Sequence, residues 1–461
     1  MITIIRKYYL ALLLLSLISC RKWVEDVPVQ GQRVLVYTDD YRLLMNNNLD
    51  QQYGLGPVSE LSCDDIALTD TILQKQVGSN PIQTAIYSWS KPFYVDQQSD
   101  YDYNMLYKTI YVSNVVINGI ASSKGGTPAL KNTILGEALV HRAFSYFMLC
   151  NMYAKQYDAT TAAADPGVPL LLEAKLFTNL TRKPVKEVYD QIIMDLKQAI
   201  PLLPAKADVK FRPSQAAGYA LLAKTYLFMR DFDLASAFAD STLAISSQLY
   251  DYNTTISGST YVMATQYNDP QIIMRQIPRN PFSTPQLSSD LLALFDPNDL
   301  RYKMFVKAGS NYYPAFAGLG FWDRTHYSDY SDGTPVGLTV NETWLIKAEC
   351  LARAGKTQDA IQMLNDLRQR RFKPADFQPL SAADDKEALQ LVINERRMEF
   401  VGTGLRWFDQ RRLNKDNGLT KTLTRTLGGS TFTLQPDGNG YVFPFASILI
   451  SQSPEMTQNP K

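Results

Sequence analysis

Two histidines, His141 and His326, are all the imidazole in the 461 residues, so a Ser–His–Asp triad or a His-ligated metal has little to draw on. His141 lies in an apolar helical pattern, which points to a packed side chain. Neither a His-Glu-x-x-His zinc motif nor a glycine-rich phosphate loop occurs. Asp100-x-Asp102-x-Asn104 begins like a calcium loop, but Met105 stands where the turn needs glycine and Tyr111 where the bidentate acid belongs. Asp64 and Asp65 are adjacent and on a strand would point apart, a poor geometry for paired acid–base work. Glu395, Arg396, Arg397 and Glu399 resemble a catalytic cluster at first sight. On a helix, however, Glu395 and Glu399 share a face with Arg396 beside them, and Arg–carboxylate forks of this kind fix a helix to its neighbours. No catalytic set, metal site or cofactor is expected from these patterns.

The excess lies in aromatics, with 27 Tyr and 20 Phe. A flat ring covers the C–H face of a sugar while Asn, Asp and Arg bind its hydroxyls. Candidates for such contacts are the rings outside helical periodicity. One set is Trp89 and Tyr94, close to Asp100. The other is Asn311, Tyr312, Tyr313, Trp322, Arg324 and Tyr327. Trp322 stands among Gly318, Gly320, Asp323 and Arg324, which predicts an exposed loop. Trp344 and Trp407 fall on helical faces and are expected in the core.

The elements that must carry these rings fall into two textures. In 216–249, Tyr219, Leu222, Ala223 and Tyr226 form one helical face, Arg230-Asp231-Phe232 a turn, and Ala235, Ala239 and Thr242 a second helix. In 341–374, Trp344, Ala348 and Leu351 form a face, Ala354-Gly355-Lys356 the turn, and Ala360, Leu364 and Leu367 the second helix. Both windows fit the 34-residue tetratricopeptide frame, with Ala235 and Ala360 where two helices approach closely. A third unit is interrupted: 134–154 reads as one long helix, 184–200 as its partner with proline at the helix start, and Asp165-Pro166-Gly167-Val168-Pro169 as an irregular insertion. Lys386–Val401 and Leu405–Leu413 are the last helices. Residues 420–445 alternate weakly around Gly428-Gly429 and Asp437-Gly438-Asn439-Gly440, as short hairpins do. The expected fold is mainly α: a tetratricopeptide-like helical-repeat scaffold, helices mainly within 131–250 and 341–413, with a loop-rich, short-hairpin half packed on it, mainly 45–105, 250–340 and 414–461.

The N-terminus sets the compartment. Arg6 and Lys7 precede an apolar run, Tyr8 to Ile18, that is too short for an ordinary membrane span, and Leu17-Ile18-Ser19-Cys20 follows. This resembles a bacterial lipobox, with 1–19 removed and Cys20 acylated to hold a single domain, 20–461, at a membrane. Two or three acyl chains anchor durably where one does not. Removing Arg6 and Lys7 leaves 44 basic against 45 acidic residues, so no basic excess points to nucleic acid. Cys63, Cys150 and Cys350 are too few and odd in number for a disulfide framework.

The order and spacing of several stretches carry a family resemblance. They are Tyr107-Lys108-Thr109-Ile110-Tyr111-Val112-Ser113-Asn114, Glu137-Ala138-Leu139-Val140-His141-Arg142-Ala143-Phe144, Arg212-Pro213-Ser214, Trp344-Leu345-Ile346-Lys347-Ala348-Glu349, and Asn394-Glu395-Arg396-Arg397-Met398-Glu399-Phe400 running into Gly404-Leu405-Arg406-Trp407-Phe408-Asp409-Gln410-Arg411-Arg412. With Cys20 ahead of them, the chain resembles the SusD/RagB family of outer-membrane lipoproteins of Bacteroidetes. It departs from the family where Arg21-Lys22-Trp23 separate Cys20 from Glu25-Asp26, and at its Gln458-Asn459-Pro460-Lys461 end. The resemblance implies a non-catalytic nutrient-binding lipoprotein facing the cell exterior, partnered by a SusC-like TonB-dependent transporter and carrying a glycan or a peptide. Two rivals are a helical-repeat scaffold that binds protein or peptide partners, and a glycoside hydrolase, which needs two carboxylates facing each other across a groove.

Overall fold

The computed structural model describes residues 35–47, 57–95, 97–176, 178–257, 260–277, 286–323 and 336–460. Cys20, Arg324 and Tyr327 lie outside them. Among the described residues nine helices form the scaffold: α1 (Tyr101–Gly119), α2 (Pro128–Tyr153), α3 (Val185–Ala199), α4 (Gln215–Met229), α5 (Phe232–Ile245), α6 (Val340–Arg353), α7 (Thr357–Arg368), α8 (Asp385–Glu399) and α9 (Leu405–Leu413). From α1 to α8 each packs on the next, so every helix buries the apolar face of its neighbour.

Local chemistry starts and stops these helices. Thr127 Oγ1 accepts the Leu130 amide at 3.1 Å and Pro128 occupies the first turn, so α2 begins earlier than its apolar pattern. Pro184 sits just before α3 at the N-cap and not inside it. Ser214 caps α4 and Asp231 caps α5 through the Leu234 amide at 3.0 Å. The two repeat windows superpose in register. Arg230 (φ 65°) and Gly355 (φ 72°) are the left-handed residues of their turns, and Ala235 and Ala360 follow five residues later, both fully buried. Arg230 tolerates a conformation that favours glycine while its guanidinium grips Asp416 at 2.6 Å.

The interruption after α2 is a small antiparallel pair, Pro166–Pro169 against Arg182–Pro184. The loop-rich half holds the other short strands of the described residues: a two-residue pair, Ile256–Ser257 against Thr260–Tyr261, and β1 (Ile272–Met274), β2 (Val306–Ala308), β3 (Gly320–Trp322), β4 (Leu338–Thr339), β5 (Leu423–Leu427) and β6 (Ser430–Leu434). β1 pairs with β4, β2 with β3 and β5 with β6, all antiparallel. Gly428 and Gly429 take φ 58° and 82°, the two positive values of a tight two-residue hairpin turn. β5 alternates buried and exposed residues, which carries Arg425 inward to donate to the Leu61, Tyr87 and Ile66 carbonyls at 2.9, 2.7 and 3.1 Å, and to that of Cys63.

One continuous apolar core runs through both halves, from Phe144, Phe147 and Leu222 in the scaffold to Trp89, Phe305 and Trp322 in the loop-rich part. His141 is buried on α2. Cys63, Cys150 and Cys350 are free and buried, as small apolar residues. Trp407 is enclosed, stacked 4.9 Å from Tyr441 and 5.3 Å from Phe443. Trp344 is partly buried and its indole donates to the Met363 carbonyl at 2.8 Å. Among the described residues no helix is long and apolar enough to cross a membrane.

Candidate functional site

The β2–β3 hairpin presents its connecting turn to solvent. Strand register places Val306 opposite Trp322, Lys307 opposite Phe321 and Ala308 opposite Gly320. The chain then folds back tightly: a Cβ on Gly309 would lie 2.2 Å from the Phe316 carbonyl, so only glycine fits. This turn exposes Asn311, Tyr312 and Tyr313 side by side, the two tyrosines 38% and 50% accessible. Buried rings hold them: Tyr312 packs edge-on to Phe321 at 5.3 Å, Tyr313 to Phe316 at 5.5 Å, and Phe316 meets Phe321 at 5.6 Å. Lys307 Nζ lies 5.0 Å from the Tyr312 ring centre and 3.4 Å from Asp323. Partial burial and the Asp323 carboxylate push the Tyr312 hydroxyl up to about 12, so it stays a hydrogen-bond donor at neutral pH. The result is a supported aromatic ledge with amide, hydroxyl, ammonium and carboxylate groups around it.

Trp322 does not belong to that ledge. The exposed-loop expectation is corrected: Trp322 ends β3, is 6% accessible, and packs 5.0 Å from Phe305. Its indole lies over Gly402 (φ 74°), where a Cβ would come within 2.2 Å of Nε1. The flanking glycines signalled tight packing, not exposure. Beside Trp322 lies an internal cavity of about 40 Å³ lined by Asp269, Asn341 and Glu399 among others, far too small for a sugar ring.

Trp89, Tyr94 and Asp100 occupy other ground. Trp89 (φ 55°) is 8% accessible, donates Nε1 to the Ser62 carbonyl at 2.9 Å and stacks under Arg425 at 4.5 Å. What remains of it lines an open groove of about 480 Å³ with Lys91, Phe432, Gln435 and Asn439, the size of a small-ligand pocket. Lys91 spans it, donating to the Asn439 and Pro460 carbonyls at 2.8 Å each, and burial pulls its ammonium down to about 8. Sequence spacing carries no sign of this groove, since the hairpin side comes from 340 residues away. Tyr94 is buried, and burial, then the nearby Asp100 and Asp102, hold its hydroxyl well above the usual phenol range. Asp100 is a buried cap of α1: its carboxylate accepts the Tyr103 amide at 3.2 Å and the Tyr153 hydroxyl at 2.6 Å. Asp100 therefore serves the scaffold.

The charged cluster is also a scaffold device. Arg301 meets Asp299, Glu395 and Glu399 at 2.6, 2.7 and 2.9 Å, and Arg371 meets Glu399 at 2.6 Å. Burial would raise Glu399, yet Arg371 and Arg301 hold it down to about 2. Asp64 and Asp65 do not diverge on a strand. They form a turn in which Arg406 holds Asp64 at 2.7 Å and Arg397 holds Asp65 at 2.6 Å.

Scaffold and site together define a class: a tetratricopeptide-like helical stack bearing an irregular half with an aromatic edge. The sequence profile of a family described as "Starch-binding associating with outer membrane" matches residues 40–227, and that of the "SusD family" matches 340–461. The chain belongs to the SusD/RagB family. A SusD-like protein of Formosa agariphila is 23% identical over 388 residues, 68% of this chain and 74% of that protein. A SusD superfamily protein of Bacteroides thetaiotaomicron shares the fold with a TM-score of 0.73 at 21% identity, over 92% of this chain and 100% of its own. A putative sugar binding protein of Bacteroides vulgatus does so at 0.72 and 19% identity, over 93% and 99%.

Proposed function

We propose that this chain is a non-catalytic oligosaccharide-binding lipoprotein of the outer membrane, anchored through Cys20 and facing the cell exterior, which hands cargo to a SusC-like TonB-dependent transporter. The observation that carries the reading is the Asn311–Tyr312–Tyr313 ledge. Two adjacent, exposed and braced rings offer flat apolar faces at low entropic cost, and the polar groups around them match sugar hydroxyls. Family membership and a sugar-binding structural relative support the same class of cargo. The carboxylates of the Glu395–Glu399 cluster, engaged by arginines, are poor candidates for glycoside hydrolysis, which supports a binding role. Arg324 and Tyr327, outside the described residues, are proposed as further ligand contacts; the Trp89 groove is a second place for a sugar unit to settle.

Calorimetry of the non-lipidated body against a panel of oligosaccharides, with reducing ends monitored, tests the proposal. Binding without hydrolysis is expected, weakened about tenfold in Tyr313→Ala, the loss of one stacking face of about 1.4 kcal/mol, with unchanged melting temperature. Hydrolysis, or binding indifferent to both Tyr312→Ala and Tyr313→Ala, overturns it.

A further inference from the structure

A buried polar group costs free energy unless it is hydrogen-bonded, so two orphaned groups at one place call for a physical reason. Trp322 Nε1 is a donor and Asn341 Oδ1 an acceptor. Both atoms are buried, and neither has a hydrogen-bond partner among the described residues. Both residues line the internal cavity of about 40 Å³.

The neighbours fix which atoms are orphaned and where they point. Asn341 Nδ2 donates at 2.7 Å to Glu399 Oε1, part of a carboxylate held by Arg301 and Arg371. A carboxylate only accepts, so the amide arm left over is the carbonyl oxygen. A Cβ on Gly402 would lie 2.2, 2.3 and 2.6 Å from Nε1, Cε2 and Cδ1 of Trp322. Near-equal approach to three ring atoms comes from above the ring, not along its edge. Gly402 therefore covers a face of the indole and does not block the N–H, which lies in the ring plane.

A donor and an acceptor that border one cavity without bonding each other need a molecule that accepts from the first and donates to the second. Water does both. The cavity exceeds the roughly 10–15 Å³ that one water needs. Asp269, Glu399 and Thr403 on the same lining supply the further polar neighbours that a buried water keeps. A cation there would meet Arg301, and an anion would meet Asp269 and Glu399, so the lining favours a neutral occupant.

We propose that this cavity holds an ordered water that accepts the Trp322 indole N–H and donates to the Asn341 carbonyl. The water fastens the end of β3 to the start of α6, whose Asn341 already reaches Glu399 at the end of α8. β3 is one strand of the hairpin that carries the 311–313 turn, so the water helps to set that hairpin on the helical stack. The site is independent of the glycan reading.

A high-resolution crystal structure of the native chain tests the assignment. A density peak about 2.7–3.2 Å from both Trp322 Nε1 and Asn341 Oδ1 is expected. Xenon pressure on the same crystals should give no anomalous peak in the cavity, because dry apolar cavities take up xenon and a site filled by bonded water does not. Trp322→Phe keeps a ring and removes the donor, and the peak should be lost from its position. If that variant fails to fold, the native crystals decide. An empty cavity, a xenon peak, a peak within bonding distance of only one of the two groups, or a peak unmoved in Trp322→Phe overturns the proposal.

Discussion

Trp322 and Tyr313 stand nine residues apart in one aromatic-rich stretch, and their environments set opposite expectations for the same mutation. Tyr313 is half exposed, so its truncation should be felt by ligand and not by the fold. Trp322 is enclosed by Phe305 and Gly402, so Trp322→Ala should cost about 3–5 kcal/mol of stability through the void it leaves. A fall in denaturant midpoint checks this; an unchanged midpoint would return Trp322 to the surface. His141 carries a pH dependence. Burial lowers its pKa from 6.5 to about 3. The folded chain keeps it neutral while the unfolded chain protonates below 6.5, so its contribution is full above that pH and is lost as pH falls toward 3, by up to about 1.4 kcal/mol per unit. Asp269, raised to about 6 by burial, acts in the opposite sense between about 6 and 4. The urea midpoint should therefore drop less from pH 7 to 4.5 in His141→Gln than in the native chain, with Asp269 common to both.

At the scale of elements, the repeat turns follow one rule in two chemistries. Gly355 accepts the left-handed position with no side chain to place, and Arg230 accepts it with its guanidinium on Asp416. Arg353, from the other repeat, grips the same Asp416 at 2.8 Å. From there a buried chain of charges, Arg353–Glu349–Arg412–Asp409–Arg396–Glu342–Lys224, joins α4, α6, α8 and α9. Removing one member strands the next as an unpaired buried charge, so these pairs act as register pins for the stack. Ala360 sits where α6 and α7 close together. Ala360→Leu should destabilise by about 1–3 kcal/mol through overpacking, seen as a lower denaturant midpoint with an unchanged slope. An unaltered midpoint would mean that the helices separate freely at that point.

At the scale of the whole molecule, the loop-rich half is bolted to the stack by Arg397 on Asp65 and Arg406 on Asp64, and its own segments are tied together by Arg425 on four carbonyls. The ledge therefore moves with the scaffold, and a ligand held there is held by the entire body. The lipid proposed on Cys20 would keep that body beside its transporter and raise its effective concentration without a new contact. Cys20→Ala should abolish labelled fatty-acid incorporation and release the protein from membranes. Fatty acid still incorporated in the variant would remove the anchor from the account.

The sequence by itself determined the helical stack, its repeat register and the structural use of its charges. Those depend on local periodicity, on small residues at fixed offsets and on the fork geometry of arginine with carboxylate, all of which operate over a few turns of chain. The ledge at 311–313 was also legible, because a polar, glycine-rich turn leaves tyrosines little to pack against. Only the tertiary structure decided between Trp322 and Tyr313, since glycines beside a tryptophan serve a buried close approach as well as an open loop. It alone assembled the Trp89 groove, whose walls come from segments hundreds of residues apart. Whether a ring or a guanidinium faces ligand, core or cavity depends on what the distant chain brings against it.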